Sequence, residues 1–191
     1  MITLTAGEIG LLVGGEMHCD KDLLVSKAPV FDSRKATPGC IFLALQGEVV
    51  DGHDYAADAY RAGAMFSLTT KRIDGPCIVV EDVIEALSIL ATFVRKRLTN
   101  LTVIGITGSQ GKTSTKDLMS HMLSAVGPTV SPAGSFNNDL GLPITLLECD
   151  EKTSFCILEM GARHTGDIAR LCSIAQPNIG VVLTVGTAHL G

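Results

Sequence analysis

The chain has 191 residues, enough for one ordinary domain or two small ones, and is 46% apolar against 18% charged, which excludes wholesale disorder. Its 15 Lys and Arg against 20 Asp and Glu leave a net charge of −5, and there is no Trp, so neither a cationic face nor an aromatic platform for nucleic acid is on offer. Six cysteines, none in a CxxC pair, read as buried free thiols rather than a disulfide or zinc framework; with no basic residue before Lys21 and no long apolar run, a soluble, cytoplasmic protein is expected.

In chain order, the first eighty residues read as a small α/β unit. Residues 40–45 and 77–80 are apolar enough for strands, and residues 55–64 are alanine-rich and stop at Gly63, as a short helix does. Residues 81–98 repeat apolar positions at three- and four-residue spacing and end on Arg95, Lys96 and Arg97, where a helix dipole favours cations. A boundary just before this helix divides the chain into 1–80 and 81–191. Beyond it the pattern alternates: strands at 101–107, 155–160 and 179–185, helices at 112–126 and 165–174, and a short apolar segment at 144–147. Near-continuous apolar strands between helices predict a parallel sheet covered on both faces. The expected fold is α/β: a small N-terminal α/β domain, then an incomplete parallel-sheet P-loop domain. The stop at Gly191, straight after a strand, suggests a fragment.

The strongest chemical signal is Thr107-Gly108-Ser109-Gln110-Gly111-Lys112-Thr113-Ser114, which follows one predicted strand and opens one predicted helix. Glycines allow a tight turn with N–H groups facing an anion, the helix N-terminus adds its dipole, Lys112 supplies a cation for the phosphates and Thr113 a hydroxyl for Mg²⁺. The full Walker spacing would need Gly where Ile106 stands. The plain alternative is a glycine-rich turn with a solvated lysine. Glu159 ends a strand and His189 lies just past another, and carboxyl ends of parallel strands share one edge. That edge would bring Thr113, Glu159 and His189 towards one triphosphate. Taken singly, Glu159 reads as a surface or capping carboxylate and His189 as a loop histidine.

These residues resemble the Mur ligase family of ATP-dependent cell-wall enzymes. The phosphate loop is similar to the family's T-G-[ST]-x-G-K-T-[ST], and residues 136–143 (F-N-N-D-L-G-L-P) to its asparagine-rich loop. Asp32-Ser33-Arg34, residues 38–47 and Asp51-Gly52-His53-Asp54-Tyr55 resemble its uridine-nucleotide-binding domain. Glu159-Met160-Gly161-Ala162 is similar to the signature of the branch that adds D-alanyl-D-alanine. One departure is the final strand, where many members carry Asn after the threonine and this chain has Val185.

The resemblance implies an acyl-phosphate ligase using ATP and Mg²⁺, with UDP-N-acetylmuramoyl-tripeptide and D-alanyl-D-alanine as partners. It implies ATP contacts from residues 107–114, Asn137 and Asn138, and metal contacts from Thr113, Glu159 and His189, with Lys112 and His189 in catalysis. For the UDP substrate it implies Ser33, Arg34, Gln46, Gly47 and His53. Asn137 and Asn138 read equally well as turn residues, and His53 as a turn histidine. Family members continue with the rest of the central domain, including a carbamylated lysine, and a C-terminal domain, so this chain alone is expected to be inactive. A P-loop kinase or GTPase, a stand-alone nucleotide-binding module and another family member are the competing readings.

Overall fold

A computed structural model describes residues 1–132, 134 and 136–186. The chain forms two compact units, Met1–Leu90 and Ala91–Gly191, and they are taken in turn.

The first unit starts on β1 (Leu4–Thr5), α1 (Ala6–Val13), β2 (Glu16–His18) and β3 (Leu24–Val25), none of which the apolar runs announced. Yet α1 carries a legible start. The Thr5 hydroxyl accepts from the Glu8 N–H while the Glu8 carboxylate accepts from the Thr5 N–H, a reciprocal capping box. Further on come β4 (Ile41–Leu43), α2 (Ala56–Ala62), β5 (Phe66–Thr69), β6 (Cys77–Val79) and α3 (Val83–Arg97). The sheet order is β2-β6-β5-β4, with β4, β5 and β6 parallel and β2 antiparallel. Phe42, Phe66, Leu68 and Ile78 are among its fully buried side chains. Strand β5 went unread because Ser67 and Thr69 interrupt its apolar run. Both are buried, and both are satisfied, Ser67 by the Tyr60 hydroxyl and Thr69 by donating to the Lys71 carbonyl, as buried hydroxyls must be.

The division between the units falls within α3. In the second unit follow β7 (Thr102–Thr107), α4 (Lys112–Ser124), β8 (Thr129–Val130), α5 (Gly141–Leu147), β9 (Phe155–Glu159), α6 (Asp167–Ala175) and β10 (Ile179–Val182). All four strands are parallel in the order β10-β7-β9-β8. From β7 the chain crosses over β9 to reach β8; from β9 it crosses back over β7 to reach β10. Right-handed crossovers in opposite directions put α4 and α6 on opposite faces. The fold is the expected α/β arrangement with a parallel P-loop sheet.

Two readings sharpen. The apolar segment at 144–147 belongs to a helix, α5, in which every residue is buried; a helix apolar all round shows no periodicity. Arg95, read as a cation at a helix end, is buried. It donates to the Ala175 and Gln176 carbonyls and to Asn178 Oδ1, closing the C-terminus of α6, where carbonyls lack partners. All six cysteines are free. Among the described residues no helix is long and apolar enough to cross a membrane.

Candidate nucleotide-phosphate site

The phosphate loop is the six-residue strand β7 turning into α4. Gly108 lies at φ 143 and Gly111 at φ 83, conformations that side chains resist. At Gly108 space forbids one as well: a Cβ would sit 2.8 Å from Leu183 Cβ. The loop is pinned to the chain beyond β10, since the Ser109 N–H donates to the Thr184 carbonyl (2.8 Å) and the Ser109 hydroxyl to the Gly186 carbonyl (3.0 Å). Lys112 Nζ donates back to the Gly108 carbonyl at 2.5 Å, so its ammonium stands over the loop rather than in solvent. Thr107 donates its hydroxyl to the Met160 carbonyl at 3.0 Å, tying the loop to the end of β9.

Glu159 is the last residue of β9 and only 1% exposed. One carboxylate oxygen accepts from the Thr113 hydroxyl at 3.3 Å. The other, Oε1, is buried with no hydrogen-bond partner among the described residues. An orphaned carboxylate oxygen costs desolvation free energy without return. Next to a hydroxyl at a phosphate loop it suits a hard divalent cation, since Mg²⁺ takes one or two carboxylates and fills its other positions with phosphate oxygens and water. Thr113 and Glu159 therefore fit that ion.

The asparagine loop reaches the same edge. The Asn137 carbonyl accepts from the Gly161 N–H at 2.8 Å, and a Cβ on Gly161 would lie 3.0 Å from Asn137 Cγ. Asn138 Oδ1 instead accepts from the Gly141 N–H at 2.9 Å and the Leu140 N–H, capping α5. Thus Thr107–Thr113, Asn137 and Glu159 converge, while the Asn138 side chain turns to its own helix. Gln110 and Ser114 belong to the loop and the first turn of α4. His189 lies outside the described residues.

In the first unit, the segments at 33–34, 46–47 and 51–53 gather at the carboxyl edge of the sheet, because Val30 bridges Phe42 in parallel before the chain reaches Ser33. Their charges are already engaged. Asp32 takes both Nε and Nη2 of Arg34 at 2.8 Å, and this fork holds the Asp32 carboxyl down at about 2. Ser33 is buried; Gln46 and Gly47 are exposed. Asp51 Oδ1 accepts from the N–H and ring Nδ1 of His53, and Oδ2 from Lys71 Nζ at 3.0 Å, so the Asp51 carboxyl is held well below the usual carboxylate range, chiefly by the His53 ring. The buried His53 ring places Nε2 3.4 Å from the Thr70 hydroxyl. A polar cleft of about 430 Å³ opens beside it, walled by His53, Asp54, Lys71, Arg72 and Asp74.

Two residues escaped the sequence reading. Lys71 is separated from its partner Asp51 by an intervening helix and strand, and Lys116 is buried although lysine ordinarily signals a solvated face.

A parallel sheet whose glycine-rich loop feeds a helix at Lys112, with a buried carboxylate at the neighbouring strand end, has the arrangement of a P-loop fold. The Mur ligase middle domain matches residues 106–191, and the Mur ligase family catalytic domain matches residues 30–95. The chain is 47% identical over its whole length to the UDP-N-acetylmuramoyl-tripeptide–D-alanyl-D-alanine ligase of Mycobacterium bovis, of which it spans 43%. Among solved structures, MurF from Acinetobacter baumannii superposes over 99% of this chain and 42% of its own, with TM-score 0.88 and 36% identity. The MurF ligase from Thermotoga maritima in complex with ADP covers 90% of this chain and 40% of its own, with TM-score 0.76 and 35% identity. The chain belongs to the Mur ligase family, and it spans less than half the length of these relatives.

Proposed function

We propose that this chain carries the UDP-substrate and nucleotide-phosphate parts of an ATP-dependent UDP-N-acetylmuramoyl-tripeptide–D-alanyl-D-alanine ligase, a cytoplasmic enzyme of peptidoglycan precursor synthesis. The observation that carries this reading is Glu159, buried with one oxygen on Thr113 and the other without a partner among the described residues, beside the loop that holds Lys112. The free thiols accord with a reducing compartment. On this reading residues 1–80 bind the UDP end of the substrate and residues 81–191 begin the ATP-binding domain.

In the reaction a carboxylate of the tripeptide attacks the γ-phosphorus of ATP, ADP departs, and an acyl phosphate forms. The amine of D-alanyl-D-alanine then attacks the acyl carbon, loses its proton, and expels phosphate as the amide forms. Both partners in the first step are anions, so the chain's task is to neutralise and orient. Lys112 turns from the Gly108 carbonyl to the β- and γ-phosphates, and the loop N–H groups hold their oxygens. Thr113 and Glu159, with His189, would hold Mg²⁺, which when bound would neutralise phosphate charge. Asn137 is assigned to phosphate or substrate. Ser33, Arg34, Gln46, Gly47 and His53 are assigned to the UDP moiety, with one face of the Arg34 fork already committed to Asp32.

The test is phosphate release from ATP by the complete ligase that contains residues 1–191. Release should require the UDP-tripeptide and rise further with D-alanyl-D-alanine. ATP turnover indifferent to both substrates would contradict the proposal.

A further inference from the structure

Lys116 stands one turn beyond Lys112 on α4 and is 2% exposed. Burying an ammonium is costly, and an apolar residue would fill the same space at less cost. Its partners show what the charge achieves. Nζ donates to the Pro132 carbonyl at 2.7 Å and lies 2.8 Å from the carboxylate of Asp117, which is itself largely in solvent. One turn further, Ser120 shares a hydrogen bond with Ser131 at 2.8 Å.

Lys112, Lys116 and Ser120 lie four residues apart and so form one row along the helix. That row meets the Gly108 carbonyl, then the Pro132 carbonyl, then the Ser131 hydroxyl. Ser131 and Pro132 follow directly on β8. The same segment leads to Asn137, whose carbonyl receives the Gly161 N–H two residues after Glu159. The helix that presents the phosphate loop therefore also anchors the point from which the asparagine loop departs.

We infer that Lys116 is a positioning residue of the nucleotide site: its buried ammonium holds the Pro132 carbonyl on α4, and so sets Asn137 against Gly161 beside Glu159. The functional half of this inference rests on the nucleotide reading above; the geometric half does not.

The experiment compares the 191-residue chain with Lys116→Met, Lys116→Gln and Lys116→Arg, by amide hydrogen exchange and by titration with Mg²⁺–ADP. In Lys116→Met the Gly161 amide should exchange at least about tenfold faster, while the Ser109 amide, which bonds to Thr184, keeps its protection. ADP affinity should fall about tenfold, the scale of lost supporting contacts. Lys116→Arg, which can still donate to Pro132, should recover most of both. If Lys116→Met does not fold, Lys116→Gln is read in its place, with the same expectation at smaller amplitude. Unchanged protection at Gly161 overturns the inference, and so does a uniform loss across all amides, which marks a stabilising role alone. A wild-type chain with no ADP binding overturns the nucleotide reading instead, and leaves the exchange result to decide the position of the loop.

Discussion

The carboxyl edges of the two sheets use charge in opposite ways. In the first unit the charged side chains satisfy one another: Asp32 holds the Arg34 fork, and Asp51 holds both His53 and Lys71. In the second, Glu159 is more deeply buried and yet, among the described residues, one of its oxygens has no partner, while Lys112 donates to a carbonyl. A self-satisfied edge stabilises its own loops. An edge with an orphaned carboxylate and a cation over a glycine-rich loop gives up stability to suit a ligand.

The largest effect that tests this contrast is at Lys112. Lys112→Ala removes the loop's cation and should lower ATP-dependent turnover of the complete ligase by about two to three decades, the scale of losing one such electrostatic group. A folded variant that retains a third or more of the activity would erase the contrast from the second unit's side.

A smaller effect distinguishes the two carboxylates by stability. Glu159→Gln removes a buried charge that the protein leaves half unpaired, so without ligand its thermal midpoint should be no lower than that of the wild type. Asp51→Asn breaks a satisfied, half-buried cluster and should lower the midpoint by a few degrees. The reverse order would mean that the charges of the first unit are the strained ones.

The smallest effect is acid dependence. Asp32 is held at about 2 and Asp51 is also depressed, both below the roughly 3.9 of an unfolded aspartate. A depressed carboxyl contributes stability that is complete above its unfolded value and is lost as pH falls through its folded one. Stability of the first unit should therefore decline below about pH 4 and continue to decline towards pH 2. Asp51→Asn should flatten that decline in urea unfolding series at several pH values. An equal slope in both proteins would remove Asp51 from the account.

Much of this was legible in the sequence wherever the informative residues are adjacent. The phosphate loop is one contiguous run between a strand and a helix, and the place of Glu159 follows from strand ends sharing an edge. What was not legible depends on partners distant in the chain or on burial that residue type conceals. Helix α5 is buried on every side and so has no amphipathic signature. Strand β5 hides its burial behind Ser67 and Thr69. Arg95 and Lys116 look like surface cations until the carbonyls they serve, at Ala175, Gln176 and Pro132, are brought to them by the fold. Lys71 is recognisable only once two loops meet at one sheet edge.

On the proposed function the second unit is built for a nucleotide's phosphates together with a divalent cation. The most direct measurement is calorimetric titration of the 191-residue chain with ADP across a range of Mg²⁺ concentrations, for wild type and Glu159→Gln. Wild type should bind ADP weakly, with affinity on the order of millimolar, and more tightly as Mg²⁺ rises. Glu159→Gln should need about tenfold more Mg²⁺ for the same gain. Binding curves that superpose for the two proteins at every Mg²⁺ concentration, or no ADP binding at all, would contradict the claim.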